Sequence, residues 1–305
     1  GTYELKVWTS NPNNGMDGNH FNDTMTMTIT VCDIVNGTFT IGDTASGADF
    51  ATFADAIASI TACGIDDTVL FLVDSGVYNE QVSIPEIPGT GPGARVIFAS
   101  ASGVNTDVVL QYAPTSSTEY HVLRLDGADY VTFRDMTITV APSGATYCRT
   151  LYIRNMANHN EFLNNRIINK DTNTTAFYSV VYSESTMDEY NRFEGNYFHG
   201  GYYGVYFYGS GSGEAGTVFN HNTVVGWYSY GVNMYYQYGH EAIGNYVANG
   251  QYSTSMYAFR NYYCNGPFVT AYNHIEMNGT GTAYGMYVYY CNNGDRKSTR
   301  LNSSH

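Results

Sequence analysis

YGVYFY (203–208), YGVNMY (230–235), YAFRNY (257–262) and YGMYVY (284–289) are versions of one hexapeptide. Aligned on the small residue and extended to YSVVYS, they give Ser179, Gly204, Gly231, Ala258 and Gly285, spaced by 25, 27, 27 and 27 residues. The next residue is always apolar: Val180, Val205, Val232, Phe259 and Met286. Two further on stand Tyr182, Phe207, Met234, Asn261 and Val288. The alternate positions carry Val181, Tyr206, Asn233, Arg260 and Tyr287, then Ser183, Tyr208, Tyr235, Tyr262 and Tyr289. A period of two is the mark of a strand, and its return in the twenties is the mark of a repeat architecture.

A second motif keeps step with the first. It reads Asn165-Arg-Ile167, Asn196-Tyr-Phe198, Asn222-Thr-Val224, Asn245-Tyr-Val247 and Asn273-His-Ile275, with Asn spacings of 31, 26, 23 and 28. Asparagine at a stacked turn can set its amide against that of the next rung, and it tolerates the left-handed backbone of a sharp bend. Two strands and one corner asparagine per repeat predict a parallel solenoid, with coils stacked at about 4.8 Å.

Upstream, residues 1–33 read as two alternating strands, TYELKVWTS and TMTMTITVC, around the turn-rich NPNNGMDGNHFND. Residues 34–47 form a linker and first strand. DFATFADAIASITACG then reads as a helix, with Phe50, Phe53, Ala54, Ile57 and Ile60 near helical spacing and Gly64 as a stop. Short apolar strands follow at 68–73, 82–84, 95–100, 107–112, 121–125, 130–140 and 149–155. One helix followed by many short strands is unlike a doubly wound fold, in which the two alternate.

GADFATFADAIASI, TVLFLVDSGVYNEQVSI and LRLDGADYVTFRDMTI resemble the opening of a pectin methylesterase-like chain within the pectin-lyase-like group. The resemblance covers about residues 38–294 and implies an all-β fold: a right-handed, single-stranded parallel β-helix with a short N-terminal capping helix. Residues 1–33 resemble the last hairpin of an immunoglobulin-like sandwich from the adhesion modules of bacterial surface proteins. The expected partition is a sandwich remnant over 1–33, the linker and first strand, and a parallel β-helix over 48–294. Pairing such a hairpin with such a helix resembles large secreted proteins of the Bacteroidota.

The chain has 27 acidic and 13 basic residues, a net charge of −14, with 30 Tyr and 32 Gly. That balance excludes a nucleic-acid partner, which needs a basic patch, and argues against disorder. No apolar run approaches the ~20 residues of a membrane span. The sequence opens on Gly1-Thr2-Tyr3, and DRKSTRLNSSH (295–305) resembles a translated sequencing adapter. The tail is therefore expected to be non-native and the chain an open fragment.

The methylesterase pattern of a Gln, a Gln-Asp pair, a second Asp and an Arg does not carry over, because no Gln is followed by Asp. Paired aspartates occur only at Asp66-Asp67, in a turn, and Gly-His-Gly is absent. The mixture Arg166, Lys170, Glu184, Asp188, Glu189, Arg192 and Glu194 reads as loop charge. His199, His221, His240 and His274 share no repeat position, and Asp17-Gly18-Asn19 lacks the carboxylate spacing of a calcium loop. No catalytic residue, metal or cofactor is assigned. The rungs are expected to lack a cluster of Asp, Arg, Lys or His on one face.

What the sequence offers instead is aromatic. Tyr206, Tyr208, Tyr235, Tyr262, Tyr287 and Tyr289 lie on one outward face, as a wall for a sugar or partner or as a self-stacking ladder. The side taken by Tyr203, Tyr230, Tyr257 and Tyr284 stays open. Cys264 and Cys291 stand at matching positions, NYYCNG and VYYCNN, and are expected to form a disulfide in an exported protein and to be stacked thiols otherwise. The expected role is an extracellular or cell-surface adhesive, structural or carbohydrate-binding module whose partner is a polysaccharide or surface glycan. The alternative is a pectin lyase- or pectin methylesterase-like enzyme on acidic polysaccharide.

Overall fold

Coiling the chain requires sharp corners, and the backbone shows where they are. In a computed structural model, which describes residues 1–8, 24–31, 33–142, 147–171, 175–248, 255–278, 281–295 and 300–304, a left-handed residue precedes every ladder asparagine. These are Asn164 (φ 56°), Gly195 (68°), His221 (54°), Gly244 (68°) and Tyr272 (55°), with Asp135 (58°) at the same corner one coil earlier. Side chains other than glycine pay about 1 kcal/mol or more for this conformation, so a compensating interaction has to hold the corner.

The asparagines supply it. Asn165, Asn196, Asn222 and Asn245 each donate their backbone N–H to the Oδ1 of the next asparagine at 2.9 Å, ending on Asn273. Each Nδ2 reaches back to a carbonyl: Phe133, Phe162, Phe193, Phe219 and Ala242, at 2.7–3.0 Å. All five side chains are buried, and the donors and acceptors of the corner are satisfied within the column. A second amide pair the sequence reading missed, Asn160 and Asn191, repeats the device at another corner.

Among the described residues, the corners gather the strands into three long parallel sheets, and Glu214–Ala215 pairs with Gln237–Tyr238 in a short fourth one. Sheet A holds nine strands, from Val35–Ile41 to Val269–Ala271. Sheet B also holds nine, from Gly76–Asn79 to Arg300–Ser304, and sheet C holds eight, from Val82–Pro85 to Thr282–Tyr289. The chain is a parallel β-helix. YVTFRDMTITV divides at Asp135 into Val131–Arg134 of sheet A and Thr137–Val140 of sheet B. Inside, one position of sheet A repeats as Phe71, Phe98, Phe133, Phe162, Phe193 and Phe219, with successive centroids 4.9–6.2 Å apart.

Helix α1 (Phe53–Cys63) closes the N-terminal end of the core. Thr52 caps it by accepting from Asp55 N, Glu80 accepts from Phe53 N and Ala54 N, and Gly64 ends it at φ 74°. It buries Phe53, Ala56, Ile57 and Ile60; Ala54 faces solvent and Phe50 precedes the helix. β1 (Thr2–Trp8) and β2 (Thr24–Thr30) form a separate antiparallel sheet. Asp17-Gly18-Asn19 lies outside the described residues. Arg300–Ser304 pairs in parallel with His274–Asn278, so an open sheet edge accepts part of the tail that the sequence reading set aside.

The sequence alignment slips by one residue at its first rung. Val181 pairs with Val205 and Tyr182 with Tyr206, so Val180, not Ser179, matches Gly204. A one-residue shift exchanges the two faces of a strand, which puts Tyr182 outside and Ser183 inside.

Asn222→Ala removes two acceptor and two donor contacts and orphans the buried Asn196 N–H. At about 1–3 kcal/mol for a buried unsatisfied group, the variant is expected to lose roughly 3 kcal/mol. Urea unfolding followed by circular dichroism reads this, and an unchanged midpoint would remove the ladder from the list of stabilising contacts.

Candidate functional site

The small residue of the hexapeptide decides which side chains leave the core. A Cβ on Gly231 would stand 2.5 Å from Ala258 O and 2.7 Å from Val247 Cγ1, so this position points inward. Val232 after it is buried too, and strict alternation breaks at the pair. Tyr203, Tyr230, Tyr257 and Tyr284 therefore lie outside, the last 38% exposed.

Sheet C thus presents three outward columns. The first runs His121, Arg149, Ser179, Tyr203, Tyr230, Tyr257, Tyr284. The second runs Ser83, Arg124, Tyr152, Tyr182, Tyr206, Asn233, Arg260, Tyr287. In the third, Asp126 pairs with Arg154, Glu184 follows on the next rung, and Tyr208, Tyr235, Tyr262 and Tyr289 complete it. The structure brings all six sequence-predicted wall tyrosines onto this face. It adds a column the sequence reading missed, Tyr236, Tyr263 and Tyr290, carried on left-handed residues (φ 51°, 54°, 48°).

The rings turn toward one another. Tyr208, Tyr235, Tyr262 and Tyr289 stack at 5.1, 5.3 and 5.0 Å with planes within 16°. Tyr230, Tyr257 and Tyr284 stack at 5.1 and 4.8 Å, and Tyr236, Tyr263 and Tyr290 at 5.0 and 5.2 Å. Neighbouring columns meet edge to face, as at Tyr262–Tyr263 (89°). These spacings are those of offset stacks. Much of each ring face is spent on its neighbour, leaving edges and hydroxyls outward. Burial pushes the phenols of Tyr203 and Tyr206 above their ordinary value, so they stay neutral donors.

The N-terminal end of the face is charged, contrary to the sequence expectation. Arg154 Nε lies 3.3 Å from Asp126 Oδ1 and 3.9 Å from Glu184 Oε2, as ion pairs without hydrogen-bond alignment. Arg124 donates to Ser83 Oγ (2.9 Å) and Glu119 Oε2 (3.1 Å), and Asn155 Nδ2 donates to Asp126. Burial pushes the phenol of Tyr152 above its ordinary value, with Glu184 as a further cause. The register of these rungs was not legible, because no hexapeptide precedes residue 178. Arg149 is held by rings instead: its Cζ lies 3.5, 4.5 and 4.9 Å from the centroids of Tyr182, Tyr152 and Tyr120.

Other expectations resolve elsewhere. Arg192 pairs with Glu194, Arg166 covers the Tyr197 ring, and Asp188 is buried, so the charged loop mixture is not one cluster. Among the described residues, no group of three or more His, Cys, Asp and Glu could hold a metal ion. Cys264 and Cys291 are neighbours as two stacked thiols, the second of the two states expected for them: Cys264 N donates to Cys291 Sγ at 3.3 Å. Each thiol also bonds a carbonyl, Cys264 to Met234 O and Cys291 to Tyr289 O, both at 3.2 Å. In-register stacking keeps the two Cβ vectors parallel at about the rung spacing, wider than a disulfide's ~3.8 Å. Cys63 is disulfide-bonded.

Beneath the loop after Tyr208 lies a buried acidic pair. Asp188 accepts from Ala157 N (3.0 Å) and from the Ser183 and Thr186 hydroxyls. Glu214 accepts from Gln237 Nε2 (3.0 Å) and Asp188 N (3.4 Å). Burial lifts Asp188 to about 6 and, with Asp188 beside it, Glu214 to about 8. Burial holds His121 and His240 down at about 3.

No family model and no curated protein matches the chain in sequence. Among solved structures it is similar to the pectin methylesterase of Aspergillus niger (TM-score 0.55, 12% identity, 90% of this chain and 89% of that one). It is also similar to pectin methylesterase PemA of Erwinia chrysanthemi (0.54, 14%, 88% and 94%). A pectin methylesterase in complex with a hexasaccharide matches as well (0.52, 12%, 88% and 94%). At these identities the likeness is one of fold, the pectin-lyase-like parallel β-helix.

Glu214 has a folded-state value above its unfolded one, so its contribution is full below about 4.5 and is lost as pH rises through about 8. The buried histidines act oppositely, but only below their ordinary 6.5. Stability is therefore expected to fall between pH 6.5 and 8, and Glu214→Gln to flatten that slope. Denaturation midpoints across this range check it, and parallel slopes for the two proteins would contradict it.

Proposed function

We infer that the chain is an extracellular carbohydrate-binding module whose working surface is the outward face of sheet C. The observation that carries this reading is the set of tyrosine columns. It is a rigid, amphipathic array that combines apolar ring edges with hydroxyls able both to donate and to accept, the chemistry that sugar surfaces require. The methylesterase complexed with a hexasaccharide lends support by analogy of fold. The disulfide at Cys63 suits an oxidising compartment, and no helix among the described residues is long and apolar enough to cross a membrane. A cell-surface adhesive role follows if the bound glycan belongs to another cell.

A second reading, a polysaccharide-active enzyme, is favoured by one observation: Asp126, Arg154 and Glu184 on adjacent rungs at one end of the same face. Asp126→Asn separates the two readings, since it would abolish turnover and leave retention on the wall intact.

Depletion of the protein from solution by insoluble cell-wall polysaccharide tests the main reading. Tyr235→Ser combined with Tyr262→Ser is expected to lower retention at least tenfold. The stack lost is worth about 0.5–1.5 kcal/mol per pair, so folding is checked by circular dichroism. Equal retention by the folded variant would leave the wall as a structural stack.

A further inference from the structure

The face proposed above as a glycan site has four arginines on its outward columns, and each is already committed. Arg124 is held by Glu119 at 3.1 Å and Asp126 at 3.5 Å. Arg154 stands between Asp126 and Glu184. Arg149 is enclosed by Tyr120, Tyr152 and Tyr182, with Nε and Nη1 out of contact with solvent. Arg260 lies 3.9 Å from the Tyr262 centroid and 5.3 and 5.6 Å from those of Tyr230 and Tyr257, with its Nε likewise enclosed. A guanidinium recognises a carboxylate or sulfate through a planar fork of N–H groups. Arg124 and Arg154 face carboxylates of the chain itself, and the guanidiniums of Arg149 and Arg260 lie over aromatic rings.

The carboxylates point the same way. Glu119, Asp126 and Glu184 line the N-terminal end of the face, on a chain of net charge −14. Three carboxylates against two arginines leave this end net negative, so an incoming anionic group meets like charge there. The rungs 203–208, 230–235, 257–262 and 284–289 carry no acid and, apart from Asn233 and Arg260, present tyrosine at every outward column position. Asn233 is 1% exposed at the floor of this wall, and both atoms of its amide lack a partner. A neutral amide both donates and accepts, so it can meet a hydroxyl or an acetamido group without adding charge to the wall.

We propose that the sheet C face takes an uncharged, polyhydroxylated polysaccharide and rejects uronate and sulfated polymers. The inference rests on the carbohydrate-binding reading and adds the class of ligand. Phenols that stay neutral make both halves of a hydrogen bond with sugar hydroxyls and place no charge at the interface. Association with a neutral chain is then insensitive to ionic strength, whereas an anionic chain would be held or repelled in proportion to screening.

Affinity electrophoresis of the full chain tests this in native gels cast with glucomannan, xyloglucan or arabinoxylan, and in parallel gels cast with polygalacturonate, alginate or chondroitin sulfate. Retardation by a neutral polymer is expected, and it should be lost in the Tyr235→Ser, Tyr262→Ser variant. Dissociation constants for the same pairs, measured by calorimetry, should change less than twofold between low and high salt. No retardation is expected in the anionic gels. Retardation by an anionic polymer alone, weakening with salt, would overturn the ligand class and leave the carbohydrate reading standing. Retardation in neither set would overturn the carbohydrate reading itself.

Discussion

In-register parallel stacking is the constraint on which the rest depends. Once one coil sits on the next at about 4.8 Å, every side chain faces its counterpart in the neighbouring rung, and the sequence becomes a set of columns. Each column must then tolerate its own repetition. Asparagine does so at the corner between sheets A and B because its backbone N–H donates to the Oδ1 of the next coil while its own Oδ1 accepts from the coil before, from Asn165 through Asn273. Phenylalanine does so in the core by tilting into stacks. Charge tolerates it only by alternating, and Asp126, Arg154 and Glu184 do alternate.

The same constraint explains what was legible in the sequence. Where like follows like, the period can be read directly: the 27-residue tyrosine hexapeptide and the asparagine corner both locate strands that the structure contains. Where unlike residues share a column, the register is invisible. Asp126, Arg154 and Glu184 have no common motif, so their meeting could not be seen, and the first rung slipped by one because Ser179 is small and the true match, Val180, is not. Tyr203 and its counterparts could not be placed because two consecutive inward residues, Gly204 and Val205, interrupt the alternation on which such placement relies. The cysteines show the limit of spacing alone. A shared column brings two sulfurs close, but parallel Cβ vectors leave Cys264 and Cys291 bonded to carbonyls as thiols.

Stacking and binding draw on the same rings, which bears on what the tyrosine wall can do. A ring whose face is spent on its neighbour offers little platform to a sugar. Offset stacks with right-angle contacts between columns leave a corrugated surface of edges and hydroxyls. Such a surface suits hydrogen bonding to many shallowly held hydroxyls more than the burial of one sugar in a pocket. Rigidity adds to this, because the rungs beneath are fixed by the amide ladder and the phenylalanine core, and ordering the wall costs little at the moment of binding.

The charged end of the face asks to be read as chemistry, yet its geometry argues for a structural role. A carboxylate that is to act on a substrate needs a lone pair directed at it, or a proton to give. Asp126 already receives Arg154, Arg124 and the Asn155 amide, and Glu184 faces Arg154. These contacts fasten three successive rungs in a column that carries no tyrosine there. Along the third column, ion pairs give way to phenol stacks at the rung of Tyr208, and both serve the same need: a like-on-like architecture must find, at every outward position, a side chain that can face its neighbour.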